Sequence, residues 1–269
     1  MLIRQTVVLL SFIFSLQLMA SEPPNIVIIL ADDIGYGDIS YYNEQILNRA
    51  PMVETPHIDQ LARQGMWFTD AHSPTPLCAP SRYSIMTGNT FFRSQLPWGT
   101  WDTAQGNPVR KWDLTLGRVA KLAGYRTGFI GKWHLGGTFL KRGSQEVFTG
   151  TALGEASMDA DFTRWIAGHP RELGFDYDFT FPTGVQGPLY LAYENSTWYP
   201  LNPASEIVYL SRETAKNRRI VRKKPGMADS AWDPTQLNQL LAEKAVNLSL
   251  IHISEPTRHI CLSRMPSSA

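Results

Sequence analysis

Asn25-Ile26-Val27-Ile28-Ile29-Leu30 is a short segment that, after its first residue, is apolar on both alternating faces. Successive side chains of a strand point to opposite sides of a sheet, so a strand of this kind is buried on both sides. Such strands are typical of parallel sheets that helices cover on both faces. The segment therefore predicts an α/β fold in which a mainly parallel sheet is sandwiched by helices.

Helix and strand signals alternate downstream of this segment. Thr55 before Pro56 is typical of a helix start, and Gly65 is typical of its end. The elements predicted after residue 30 are a helix over 55–65, a short strand over 66–71, a helix from Asp113 or Thr115 to Ala123, a strand over 125–130 and a helix over 232–247. Residues 138–161 have weak periodicity and are predicted to be a surface excursion. The order strand, helix, strand agrees with an α/β sheet.

The first twenty residues differ in composition from the rest of the chain. Arg4 provides a positive charge, residues 7–18 are largely apolar, and Ala20 offers a small residue at a cleavage point. The apolar run is shorter than the roughly 20 residues that span a bilayer, which favours a signal peptide over a membrane anchor or a buried helix. We predict that residues 1–20 direct export to the periplasm or the medium, without stable membrane association.

Charge and cysteine content exclude two classes of protein. The formal net charge is +1, so no overall field draws the chain to nucleic acid. The chain has two cysteines, Cys78 and Cys261, and the first lies in a chemical motif. Neither nucleic-acid binding nor a disulfide framework is therefore expected.

Two adjacent carboxylates, Asp32 and Asp33, come directly after the first predicted strand. Open α/β sheets bind their ligands beyond the carboxyl ends of the strands. Adjacent carboxylates repel each other, so a hard cation is a natural partner for them. Asp is also common in turns, and the pair taken alone favours an ordinary turn.

The most specific motif runs from Cys78 to Gly88 and begins Cys78-Ala79-Pro80-Ser81-Arg82. Pro80 fits the first turn of a helix and Gly88 fits its end, so Cys78 is predicted at the helix N-terminus. Free backbone N–H groups and the positive end of the helix dipole favour an anion such as sulfate or phosphate there. The alternative is a structural cysteine before an ordinary helix.

Lys132 and His134 follow the strand predicted over 125–130. Residues i and i+2 of an extended segment point to the same side, so the two side chains would present a cation and an imidazole to an anionic substrate. The alternative is a surface lysine and a structural histidine, which the pair on its own favours.

Three segments together resemble the type I, formylglycine-dependent sulfatases of the alkaline phosphatase superfamily. Residues 78–82 followed by Thr87-Gly88 resemble the signature of that family. Residues 24–38 resemble its metal-binding first strand, and residues 124–136 resemble its second signature. The resemblance extends to about residue 247 and identifies the chain as the N-terminal part of an arylsulfatase-like hydrolase.

The resemblance implies a role for each residue of the motifs. Cys78 would be oxidised to formylglycine by a formylglycine-generating maturation enzyme. Its hydrate would attack the sulfur of a sulfate ester and release the alcohol or phenol. Arg82 would hold this nucleophile, and Lys132 and His134 would bind the sulfate group and the nucleophile.

The resemblance also implies a cofactor and a class of substrate. Asp32, Asp33 and the modified residue Cys78 would bind Ca²⁺ or Mg²⁺. The substrate would be an aryl or carbohydrate sulfate, and the motifs do not narrow this class. Phosphatases, phosphodiesterases and phosphonate hydrolases of the same superfamily share the sheet and the aspartates, and are the alternative enzymes.

Two segments are open to more than one interpretation. Thr183 and Gly184 are the candidates for a substrate-facing loop that follows a family-like segment. The basic run over 211–224 is either solvated surface or a contact for a polyanionic sulfated glycan.

The family expects further residues that we do not find, namely a later histidine acid and a later pair of metal ligands. Residues 21–248 are therefore predicted to be the N-terminal portion of a catalytic domain that is inactive by itself. Residues 249–269 resemble translated sequencing-adapter DNA and are predicted to be a non-native tail. The alternative is a non-catalytic exported fragment that at most binds anions.

Overall fold

The computed structural model describes residues 23–97, 100–185, 187–217, 224–253 and 259–263. The signal peptide predicted over 1–20 lies outside these residues, as does part of the predicted tail. Within the described ranges, none of the helices has the length and apolar character needed to cross a bilayer.

Six α-helices, four short 3₁₀ helices and ten strands make up the regular structure of the described residues. The helices are α1 (Ser40–Gln45), α2 (Pro56–Gln64), α3 (Cys78–Thr87), α4 (Leu116–Leu122), α5 (Arg212–Asn217) and α6 (Leu237–Ile253). The strands are β1 (Ile26–Ile29), β2 (Arg126–Lys132), β3 (Leu140–Lys141), β4 (Ala160–Asp161), β5 (Tyr177–Phe181), β6 (Ala192–Glu194), β7 (Thr197–Tyr199), β8 (Ile207–Leu210), β9 (Gly226–Asp229) and β10 (His259–Ser263).

The central sheet has six strands in the order β1-β10-β2-β5-β6-β7. The first four run parallel, and β6 and β7 are antiparallel to their neighbours. Helices α4 and α6 pack on β2. A side chain at Gly128 of β2 would meet Leu248 of α6 at 2.5 Å, so this helix approaches the sheet closely. The arrangement confirms the predicted α/β fold with a mainly parallel sheet.

The strand between β1 and β2 comes from the tail that the sequence predicts to be non-native. Ile26 of β1 pairs with Ile260, and Thr127 of β2 pairs with the same residue on its other side. Ladder hydrogen bonds are made by the backbone, so many sequences can fill a strand position of this kind. The origin of residues 249–269 accordingly stays a prediction.

The prediction that β1 is buried on both faces is wrong for the described residues. Val27 is 63% exposed and Ile29 is 60% exposed. The prediction assumed that helices cover both faces of the sheet. β1 is the edge strand, and in the described part of the chain one of its faces is left open.

The strand predicted over 66–71 is absent, and these residues form a loop. Trp67 packs edge-on against the rings of Tyr41 and Tyr42, with ring centroids 5.4 and 5.6 Å apart. This contact fixes the aromatic side chain without a partner strand. The prediction rested on apolar residues of which only Trp67 packs on α1, whereas Met66 is 80% exposed and Phe68 is 64% exposed.

About half of residues 138–161 are exposed, in keeping with a surface excursion, but a few of their side chains are part of the core. Phe139 and Ala160 are fully buried, and Phe148 is 5% exposed. The ring of Phe139 contacts those of Phe162 and Trp165, with centroids 4.9 and 5.8 Å apart. Aromatic side chains spaced without a regular period can still fill one core, which a search for periodicity does not detect.

Helix boundaries follow local capping groups. Thr115 caps α4 because its hydroxyl oxygen accepts a hydrogen bond from the N–H of Arg118, which decides between the two predicted start points. The last helix begins at Leu237 and not at Trp232. Trp232 is buried and packs on Phe181, so it belongs to the core and precedes the helix in the chain.

Candidate active site

Helix α3 begins at Cys78, as the motif predicts. Leu77 before it is extended, with φ −127° and ψ 146°, and Gly88 ends the helix in the left-handed conformation with φ 67°. Pro80 is tolerated because N–H groups of the first turn have no partner inside the helix. The free N–H groups and the positive end of the dipole therefore lie at Cys78.

Strand β2 ends at Lys132, and the next two residues donate hydrogen bonds to the end of β5 and to the residue after it. The N–H of Trp133 donates to the carbonyl of Phe181 at 3.0 Å, and the N–H of His134 donates to that of Pro182 at 2.8 Å. His134 has a φ of 57°, which is left-handed backbone. The prediction of an extended segment is therefore wrong at this residue. The side chains of Lys132 and His134 nevertheless line the same cavity.

The side chains of Cys78 and His134 are in direct contact. The Sγ atom of Cys78 lies 3.1 Å from Nδ1 of His134. Cys78 is half-buried and forms no disulfide. A polar group on the β-carbon of residue 78 is thus within hydrogen-bonding reach of a ring nitrogen, and imidazole can hold or release a proton near neutral pH.

Asp32 contacts two cations at the ends of different elements. Its Oδ2 lies 3.3 Å from Nζ of Lys132, and its Oδ1 lies 3.5 Å from Nη2 of Arg82. The exposed fractions of these side chains are 17% for Asp32, 12% for Lys132 and 8% for Arg82. Arg82 also donates from Nη1 to the carbonyl of Lys132 at 2.7 Å. Asp32 thus holds two mostly buried cations close together, and both can form charge-assisted hydrogen bonds to an anionic ligand.

Arg82 is a buried cation with one unsatisfied donor. Burial lowers the pKa of its guanidinium to about 10, and the negative charges of Cys78 and Asp33 oppose this shift. The group therefore stays protonated at neutral pH. Its Nε is buried and has no hydrogen-bond partner among the described residues. An anion beside Arg82 would offset part of the cost of burying it.

Asp33 lies in an exposed turn after Asp32 and has a φ of 56°. This left-handed conformation is uncommon outside glycine, although Asp adopts it more readily than most residues. The two carboxylates supply hard oxygen donors of the kind Ca²⁺ and Mg²⁺ prefer. Across the described ranges no three His, Cys, Asp or Glu side chains form a metal-binding group. The pair therefore fits part of a shell of about six oxygens.

Asp32, Asp33, Lys132 and His134 line one cavity with a volume of about 410 Å³. This size is typical of sites for small molecules. The structure thus brings the carboxylates after β1 and the cation and imidazole after β2 to one place. Cys78 joins them through its contact with His134.

The loop that follows β5 forms part of the cavity wall. Thr183 and Gly184, the candidates for a substrate-facing loop, both line the cavity. Gly184 has a φ of 93°, and a β-carbon there would lie 2.9 Å from Cδ of Lys132. The Thr183 hydroxyl donates to the carbonyls of Gly187 and Pro188 at 2.8 and 2.9 Å. The loop is therefore fixed by its own backbone and packs directly on Lys132.

Other parts of the cavity wall carry no functional signal in the sequence. The segments around Trp101 and Thr151 line the cavity, and no periodicity or motif marks them. Lys224, the last residue of the basic run, also lines it. Of these wall residues, only Lys224 was indicated by the sequence, through the positive charge of the basic run.

Comparison with known proteins gives consistent matches to one family. The family model described as Sulfatase matches residues 24–209. An N-acetylgalactosamine-6-O-sulfatase of Bacteroides thetaiotaomicron is 30% identical over 283 residues, which cover 91% of this chain and 50% of that protein. Arylsulfatase A of Bos taurus is 42% identical over 119 residues, which cover 44% of this chain and 22% of that protein.

Solved structures agree with these matches. A sulfatase structure from work on the metabolism of multiple glycosaminoglycans by Bacteroides thetaiotaomicron aligns with a TM-score of 0.66 and 27% identity, covering 90% of this chain and 51% of that one. The chain thus spans about half the length, or less, of the relatives it matches. The match of the family model to most of the chain, together with the first relative, shows that this chain belongs to the sulfatase family.

Proposed function

We propose that this chain carries the nucleophile-bearing part of a sulfuric ester hydrolase. The observation that carries the proposal is the contact between Cys78, at the start of α3, and His134, after β2, with Sγ and Nδ1 3.1 Å apart. A residue at a helix N-terminus, beside an imidazole and near buried cations, is suited to covalent chemistry on an anionic group.

Cys78 is the residue we propose is converted to formylglycine. The Sγ atom then stands for the oxygen that replaces it on the β-carbon. The formylglycine hydrate would supply the hydroxyl nucleophile, and a bound divalent cation would polarise the sulfate. His134 is placed to accept a proton from this oxygen and to return it.

Lys132 and Arg82 provide the positive charge for the sulfate group. Both side chains are mostly buried, so their charges are weakly screened by water. Asp32 holds them in position through its two oxygens. Fixed charges of this kind act most strongly where charge develops during the reaction.

Asp32, Asp33 and the modified residue Cys78 are the groups that would hold Ca²⁺ or Mg²⁺. The donors are hard oxygens, which support the assignment to this class of ion. We further propose that the chain is exported and that its protein partner is the formylglycine-generating maturation enzyme. The substrate class is the sulfate ester of a phenol or a sugar, in keeping with the names of the relatives.

Peptide mass spectrometry tests the proposal. In chain co-expressed with a formylglycine-generating enzyme, we expect the peptide with Cys78 to lose its thiol and gain an aldehyde. Cys261 provides an internal control because it lacks the surrounding motif and should stay a thiol. An unmodified Cys78 in repeated preparations would contradict the proposal.

Ligand binding tests the site itself. Inorganic sulfate should bind the chain, and Lys132→Gln should weaken its binding by roughly tenfold, since it removes a charge-assisted contact. Lys111→Gln is the matched control, because Lys111 is exposed and does not line the cavity. Equal affinity of all three proteins would place sulfate elsewhere, and clearly tighter binding of phosphate would favour a phosphatase-like relative.

A further inference from the structure

The position of Lys224 on the cavity wall is fixed by contacts of the backbone. Its carbonyl accepts a hydrogen bond from the hydroxyl of Tyr190 at 2.8 Å, and Tyr190 is fully buried. The carbonyl of Pro225, the next residue, accepts one from the N–H of Gly154 at 3.0 Å. These two hydrogen bonds fix the backbone of an exposed lysine at the cavity.

The ammonium group of Lys224 has no ion pair among the described residues, whereas the wall carboxylate Asp102 is fully engaged. Oδ2 of Asp102 accepts from the Thr151 hydroxyl at 2.6 Å, and its Oδ1 accepts from the N–H groups of Ala104 and Ala152, both at 2.9 Å. Three donors hold this carboxylate in place, and it forms no ion pair with Lys224. A ligand in the cavity therefore meets a second cation besides Lys132.

The wall between these features is rich in neutral polar groups. Thr100, Thr103 and Gln105 line the cavity. The hydroxyl of Thr103 is buried and has no hydrogen-bond partner in the part of the chain that the structure describes. Leu153, which is 42% exposed, adds apolar surface beside them. Hydroxyl and amide groups beside an apolar surface suit a sugar ring, which offers hydroxyls at its edge and C–H groups on its faces.

We infer that the alcohol part of the substrate is a saccharide that carries a second negatively charged group, and that Lys224 binds this group. The scissile sulfate lies at Lys132 and His134, and a second sulfate or a carboxylate on the sugar lies at Lys224. The inference rests on the proposed function, since it takes the first sulfate site as given. It narrows the substrate from sulfate esters in general to anionic sugar sulfates.

Calorimetry on the full chain with the Cys78 thiol unmodified tests the inference without turnover. The probes are monosulfated and disulfated forms of glucose, galactose and their N-acetylated amines, with 4-nitrophenyl sulfate as an aryl ligand and inorganic sulfate as a competitor. In at least one sugar series, we expect the second sulfate to tighten binding by roughly fivefold, the size of one partly exposed ion pair. Lys224→Gln should abolish this gain, Lys224→Arg should keep it, and Lys111→Gln should leave it unchanged.

The outcomes separate the inference from the proposed function. If inorganic sulfate fails to bind, or binds without dependence on Lys132, the proposed function fails. If sulfate and 4-nitrophenyl sulfate bind through Lys132 but no sugar sulfate does, the inference fails alone. A gain from the second sulfate that survives in Lys224→Gln would likewise overturn it.

Discussion

Asp178 predicts a measurable dependence of stability on pH. This residue of β5 is fully buried, and its Oδ1 has no hydrogen-bond partner among the described residues. Burial raises its pKa to about 7 from 3.8, with a smaller rise from the charge of Glu194. The hydroxyl of Thr180 and the charge of Arg171 lower the pKa and only partly offset this rise.

The sign of the effect follows from proton binding. Between pH 4 and pH 7 the folded chain holds a proton on Asp178 that the unfolded chain has released. The stability from this group is therefore complete below pH 3.8 and is lost as pH rises through 7. A shift of about three units corresponds to a loss on the order of 4 kcal/mol. This is a large part of the 5–15 kcal/mol that holds a typical domain folded.

Asp178→Asn isolates this contribution because it keeps the shape of the side chain and removes the charge. At pH 8 the variant should be more stable than the parent chain by roughly 3–4 kcal/mol, and at pH 4 the two should differ by less than about 1 kcal/mol. Urea unfolding followed by tryptophan fluorescence at pH 4, 6 and 8 measures both values. Asp159→Asn, at an exposed position, is the control. Parallel pH profiles for the parent and Asp178→Asn would refute the reasoning.

Two further predictions concern packing and the carboxylates that we propose bind a metal ion. Gly117→Ala should destabilise the chain by about 1–2 kcal/mol in thermal unfolding, because its β-carbon would lie 2.7 Å from the carbonyl oxygen of Leu173. The higher helix propensity of alanine offsets less than the cost of this clash. Gly35→Ala is the control, since a β-carbon there makes only ordinary contacts, and it should change the stability little. Asp32→Asn should tighten inorganic sulfate roughly fivefold in the presence of a chelator, since it removes an anion that competes for two cations. Asp33→Asn should change sulfate affinity less than Asp32→Asn does, because Asp33 makes no direct contact with the two cations, and it should weaken Ca²⁺ binding in titrations. The same sulfate response from both variants would contradict the different contacts of the two carboxylates.

Local signals in the sequence were sufficient where one residue decides the backbone. Pro80 and Gly88 located the ends of α3, and the apolar run before residue 132 located β2. Each depends on interactions within a few residues, which the sequence states directly. The convergence of Asp32 and Lys132 could also be anticipated, because parallel strands present their carboxyl ends at one edge of the sheet.

The features that could not be predicted from the sequence depend on tertiary packing. The open face at Val27 depends on which other elements cover the sheet, and the burial of Phe139 depends on aromatic partners more than twenty residues away. The cavity wall at Trp101 and Lys224 is assembled from loops that have no period. The positive φ of His134 follows from hydrogen bonds to the segment after β5, which no local pattern encodes.

The order of the strands has a consequence for the timing of folding. Positions 26 and 260 pair in the sheet and are 234 residues apart, whereas Gly128 and Tyr177 of the β2–β5 ladder are 49 apart. Closing the longer loop costs about 1–2 kcal/mol more in chain entropy, so the short-range ladder has the lower barrier. Cys78 and His134 are 56 residues apart and belong with the early contacts. Cys78 and His134 are therefore expected to meet early in folding, and Asp32 to reach them later, when β1 joins the sheet.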